Sequence, residues 1–145
     1  MQHPDDILEH FRRRAGLLYD GEGVSHLQHA WQCARLAAQA YATPELQLAC
    51  WLHDLGHLIA PRDATPILGG IDDGHECVAA LAIEPLFGPE VAEPVVLHVA
   101  AKRVRGMAER GDALCRDVFR VQAHALGLFF DQMINVFDPD GLVVG

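Results

Sequence analysis

In the stretch LACWLHDLGHLIA, residues 48–60, three polar side chains, His53, Asp54 and His57, interrupt a run that is otherwise apolar. Burying such groups costs free energy unless they find partners. Imidazole nitrogen and carboxylate oxygen are together a donor set that iron, manganese or zinc accepts, whereas calcium prefers oxygen alone. On a continuous helix His53 and His57, four apart, share a face, and Asp54 is turned about 100 degrees from His53. Adjacent ligands still converge where a helix end abuts a metal pair, with the histidine on one ion and the carboxylate reaching or bridging both. Taken alone, the dipeptide has a second reading, a buried hydrogen-bonded pair with no ion.

The wider distribution of histidines favours the metal. His29 stands in HLQHAWQCARLAAQAYA, His75 in DDGHE and His98 in VLHVAAK. Four histidines and an aspartate on four successive helices are the arrangement that a central site needs. Other histidines read differently. His3 and His10 belong to a polar first helix and are expected in solvent. His26, three before His29, reads as an exposed residue, with a place behind the site as the alternative, and nothing local gives His124 a partner.

The elements that must position these groups are helices. Alanine and leucine recur at three- and four-residue intervals, and alternation of β-branched with polar residues is rare. A first helix over about residues 4–18 starts at Pro4 and carries Ile7, Leu8, Phe11, Ala15 and Leu18 on one face. After the loop YDGEGVS, Ser25 and Gln28 form a capping-box pattern for a second helix. Thr43 and Pro44 cap and start a third, which contains His53, Asp54 and His57. The Pro-, Gly- and Asp-rich PRDATPILGGIDDG reads as a loop that delivers His75 to the head of a fourth helix. A fifth runs through Pro94, a point for a kink, to VLHVAAKRV. A last segment places Leu114, Val118, Val121, Ala125 and Leu128 on one stripe, and NVFDPDGLVVG reads as a loop and tail.

A chain of 145 residues, half of them apolar, matches one domain over residues 1–145 with a single core. Its 20 acidic and 11 basic side chains give a net charge of −9, and no basic stripe is present to neutralise phosphates. Nucleic acid is therefore not an expected partner. Cys33, Cys50, Cys77 and Cys115 fall singly in apolar, helix-like stretches, with no CxxC pair. They read as small core residues of a cytoplasmic protein, thiolate ligands being the weaker alternative because isolated cysteines are more often plain buried hydrophobes, and with no spanning segment or signal peptide in view no membrane partner is expected.

The ordered series His29, His53-Asp54, His75 and His98 resembles the HD-domain superfamily, and its two additional histidines, His75 and His98, point to the binuclear members. The segments YDGEGVSHLQHAWQCA, ACWLHDLGHL, DDGHE and LHVAAKR look like the HD-domain mixed-valent di-iron oxygenases of phosphonate breakdown, distant relatives of myo-inositol oxygenase. The resemblance covers about residues 15–105 and leaves a divergent segment over 106–145. It implies an all-α helical bundle around a central binuclear site of two iron ions, Fe2+/Fe3+. It further implies oxygen-dependent cleavage of the carbon–phosphorus bond of a small hydroxylated (amino)phosphonate.

By the same resemblance, His29, His53, Asp54, His75 and His98 are metal ligands, and Asp54 is the bridge. Tyr19 and Glu22 match a catalytic pair that responds to substrate, the glutamate meeting its ammonium group, while His57 and Lys102 match residues that hold the phosphonate. Such a dianion does need cationic donors; as a plain helix terminus, Lys102 is also favoured by the macrodipole. After Arg103 the chain departs from the family's serine- and threonine-bearing helix, LQGG-like turn and tryptophan–aspartate motif. For the last carboxylate ligand Asp138 in VFDPDG is the nearest match, and Asp131 in FFDQM is the alternative. Two rival functions share the ligands: an HD-type phosphohydrolase using manganese, magnesium or zinc to direct hydroxide at phosphorus, and a metal-binding HD protein without turnover. Oligomeric state is not legible in the residues.

Overall fold

The computed structural model describes residues 1–14, 16, 23–60 and 74–118. Among these the chain is all-α: α1 (Pro4–Arg14), α2 (His26–Gln39), α3 (Pro44–Leu52), α4 (Leu55–Ile59), α5 (His75–Phe87) and α6 (Pro89–Glu109), with residues 113–118 again helical. No β-strand occurs among the described residues, and none of their helices is long and apolar enough to cross a membrane.

The helix starts follow from local chemistry. Pro4 opens α1, with Asp5 and Asp6 in its first turn and Arg12, Arg13 and Arg14 in its last, a charge order that complements the helix dipole. Asp6 accepts hydrogen bonds from the backbone N–H groups of Gln2 (2.9 Å) and His3 (3.1 Å), and these hold its carboxyl below the usual range. At α2 the predicted capping box is present: Gln28 N donates to Ser25 Oγ at 3.2 Å and Ser25 N to Gln28 Oε1 at 2.8 Å. Thr43 Oγ1 caps α3 by accepting from Leu46 N at 3.3 Å, and Pro44 takes the first helical position. The left-handed Gly74 (φ 60°) turns the chain into α5, so His75 does stand at its head.

Two expectations are corrected. The motif helix is not continuous: α3 ends at Leu52, His53 and Asp54 form a turn, and α4 begins at Leu55. Asp54 lies in the sparsely populated bridge region (φ −98°, ψ 11°), and His57 N donates back to its carbonyl at 3.0 Å, which tightens the restart. Of the four cysteines, Cys33, Cys50 and Cys115 are buried, but Cys77 is exposed because it lies on the outward side of the first turn of α5. Pro94 sits inside α6, which continues as one helix from Pro89 to Glu109. Ala15 and Leu18 at the far end of the predicted first helix, and the segments 61–73 and 119–145 with Val121, Ala125 and Leu128, lie outside the described residues.

The core is built from small side chains. Cys33, Ala37, Ala49, Cys50, Ala79, Ile83 and Val95 are wholly buried, and alanine and cysteine at facing positions let helix axes approach closely. α5 packs along α6, α2 against α3, α3 against α6 and α4 against α5. Arg14 joins α1 to the end of α4, its Nη1 donating to the carbonyls of Leu58 (3.0 Å) and Ala60 (3.2 Å). These contacts bring the inner faces of α2 to α6 around one set of polar residues.

Candidate metal centre

The buried polar residues of the core are His29, His53, Asp54, His57 and His98. His29 comes from the inner face of α2, His53 and Asp54 from the turn after α3, His57 from α4, and His98 from the middle of α6. His75, at the head of α5, joins them with its side chain 13 % exposed.

Asp54 is the centre of this set. Its Oδ2 faces His53 Nε2 at 3.1 Å and His29 Nε2 at 3.3 Å, and those two nitrogens are 3.1 Å apart. Its Oδ1 faces His75 Nε2 at 3.5 Å and His98 Nε2 at 3.7 Å, and that second pair is 3.2 Å apart. Each oxygen of one carboxylate thus addresses its own histidine pair. Two nitrogens bound at about 2.1 Å to one ion are separated by about 3.0 Å at a right angle and about 3.4 Å at a tetrahedral angle. The observed spacings fall in that interval.

The ring nitrogens are also prepared for the task. His53 Nδ1 lies 2.9 Å from the Cys50 carbonyl and His98 Nδ1 2.6 Å from that of Val95. A carbonyl oxygen only accepts, so Nδ1 carries the proton in both rings and Nε2 presents its lone pair to the cluster. Behind His75, Glu76 Oε2 stands 3.6 Å from Nδ1.

Burial holds His98 well below the ordinary histidine range and lowers His53 as well, so both favour the neutral form that a metal requires. For Asp54, burial pushes upward; the facing His53 imidazole and the contacts from the rings of His29 and His75 outweigh it and hold the carboxyl well below its usual range. An ionised carboxylate is therefore enclosed here, and neither of its buried oxygens has a well-aligned hydrogen-bond partner. Such an anion facing imidazole nitrogens fits a metal cation.

The structure brings together all five residues that the resemblance identifies as ligands. It adds His57, whose ring stacks on that of His75 with centroids 3.9 Å apart and whose Nε2 is 3.8 Å from Asp54 Oδ1. His26 is corrected from an exposed residue to a half-buried one, with its ring centroid 5.6 Å from that of His57. Lys102 is half-buried on α6, and its charge helps to lower both His53 and His98. Tyr19, Glu22, His124, Asp131 and Asp138 lie outside the described residues.

Cys33, expected as a core residue with thiolate ligation as the weaker alternative, has its Sγ 3.8 Å from His29 Nε2; its position four after His29 on one helix face is the signal that links the two. One residue beside the centre was not singled out from the sequence. Glu76 is adjacent to a candidate ligand, a spacing too common to be informative.

No family model matches the chain. Among curated proteins, it is 45% identical over 86 residues to a hydroxymethylphosphonate dioxygenase of Gimesia maris, an alignment covering 59% of this chain and 42% of that protein. It is 33% identical over 93 residues to a [1-hydroxy-2-(trimethylamino)ethyl]phosphonate dioxygenase (glycine-betaine-forming) of Leisingera caerulea, covering 64% and 47%. An uncharacterized protein of Acanthamoeba polyphaga mimivirus is 32% identical over 105 residues, covering 71% and 48%. The chain thus spans less than half the length of the curated relatives it matches.

Proposed function

We propose that this chain carries a di-iron centre of the HD-domain type and acts as an oxygenase that cleaves the carbon–phosphorus bond of a small hydroxylated phosphonate or aminophosphonate. The observation that carries the reading is the division of Asp54: one oxygen for the pair His29 and His53, the other for His75 and His98. A carboxylate so divided is suited to bridging two ions, and nitrogen-rich ligation favours iron over magnesium, which keeps oxygen ligands and water. Similarity to two phosphonate dioxygenases supports both the reaction and the substrate class.

Two bound irons would supply the activation of dioxygen. Around them His57 and Lys102 offer cationic donors for the phosphonate oxygens. Tyr19 and Glu22 would meet the rest of the substrate, and Asp138 or Asp131 would complete the ligand set. The reaction consumes one dioxygen and yields inorganic phosphate and a carboxylic acid, with the hydroxyl-bearing carbon oxidised to the carboxyl level.

Protein loaded with iron without oxygen and then partly oxidised tests the reading. It should bind iron in pairs, give the magnetic resonance signal of a coupled mixed-valent pair, and change that signal on addition of hydroxymethylphosphonate or a hydroxylated aminophosphonate. Phosphate release should match oxygen consumed. If iron fails to bind in pairs, and manganese-loaded protein instead frees phosphate from esters without consuming oxygen, the hydrolase reading replaces this one.

A further inference from the structure

Cys33 stands one helical turn beyond His29 on α2, is wholly buried (0 % exposed), and places Sγ 3.8 Å from His29 Nε2. Ligand atoms of His29, Cys33 and His53 all lie within 4.8 Å of one another. Nitrogen and sulfur bound at about 2.1 and 2.3 Å to one ion are about 3.6 Å apart at a tetrahedral angle, close to the spacing found. A second observation points to a cation at the same end. Asp54 Oδ2 is buried on a side chain only 7 % exposed, has no hydrogen-bond partner, and lies 3.3 Å from His29 Nε2 and 3.1 Å from His53 Nε2.

We propose that Cys33 is a sulfur donor to whichever ion the His29 and His53 end of the centre holds, so that this end also takes up a thiophilic divalent probe such as cobalt(II). The inference rests on the metal-centre reading above and adds to it a difference in kind between the two ends. No thiol joins Asp54, His57 and His75 in the other donor group of the described residues. Binding converts the thiol to thiolate, the proton passing to solvent. Soft sulfur beside two imidazoles is a donor set that cobalt(II) takes up, while the other group offers nitrogen and oxygen alone.

Cobalt(II) titration of the metal-free full chain tests this, because thiolate bound to cobalt gives an intense near-ultraviolet charge-transfer absorption that nitrogen and oxygen ligands do not. Wild-type protein and Cys77→Ser, which alters an exposed thiol, should both develop the band together with the weaker visible cobalt absorption. Cys33→Ser should lose the near-ultraviolet band and keep the visible one. Cobalt bound in the wild type with no sulfur band would overturn the proposal without touching the metal-centre reading, and so would a band that survives in Cys33→Ser. Because the wild-type spectrum decides the first point, the test does not depend on how well the variant folds. No cobalt absorption of either sort would overturn both readings.

Discussion

Gly56 and His75 meet backbone to backbone: a Cβ added at Gly56 would overlap the carbonyl oxygen of His75. The contact sets the distance between α4, which carries His57, and the head of α5. Gly56→Ala is therefore expected to displace the first turn of α5 and to cost about 1–3 kcal/mol of stability, as forced overpacking does. Urea unfolding measures the loss, and a metal titration should show weaker binding in the fraction that folds. An alanine variant with unchanged stability and metal affinity would show that the contact relaxes without consequence.

Asp54→Asn keeps the shape of the side chain but removes the charge shared between the two histidine pairs. Bound metal should fall from about two ions per chain to below one, because a neutral amide is a poor bridge between cations. Metal analysis after desalting checks this, with circular dichroism confirming that the helices remain. Full occupancy in the variant would remove Asp54 from the centre.

The metal-free protein should lose stability as pH falls. His53 and His98 have depressed values in the folded state, chiefly through burial, so the unfolded chain binds protons first, near the ordinary histidine value of about 6.5. Their contribution is fully present above that value and is lost as pH drops through it toward the folded values. Asp54, also depressed, acts in the same direction at still lower pH. Unfolding midpoints of apo protein between pH 8 and pH 5 should fall on the acid side, and His98→Gln should flatten the slope.

Glu76→Gln removes the carboxylate 3.6 Å from His75 Nδ1. A carboxylate behind a ligating imidazole orients the ring and raises its basicity, and its loss costs about 10–100-fold in metal affinity. Competition with a chelator should reveal that loss at one of the two sites only, since Oδ2 of Asp54 serves the other pair.

Lys102→Ala should leave metal content unchanged and raise KM for a phosphonate by about tenfold or more, the effect of removing a charge-assisted contact. Steady-state oxygen uptake at varied substrate concentration measures it. A change in kcat or in bound iron with KM unaltered would mean that Lys102 serves the fold or the ligands.

The caps of α2 and α3, the position of His75 at a helix head and the convergence of five candidate ligands were legible because each rests on local chemistry or on residues rare in an apolar core. The interruption at His53 and Asp54 was not. The run from Leu48 to Ile59 contains no proline, and its one glycine follows the break; only tertiary packing reveals that Gly56 admits the backbone of α5. Burial of His26 and exposure of Cys77 were hidden for a related reason. Both depend on which side of a helix its neighbours cover, and short polar or mixed segments give that side no periodic mark.

Arg14, half-buried at the end of α1, has a reach beyond its own helix. α4 has five residues, too few to persist without outside support, and its closing carbonyls at Leu58 and Ala60 are held by one guanidinium from α1. The N-terminal helix thus acts as a splint for the segment that bears His57 and follows Asp54. Trimming the chain to the helices that carry its histidine cluster, or fusing a bulky tag that pries α1 away, would fray the cluster from outside while every one of its histidines remained in the polypeptide.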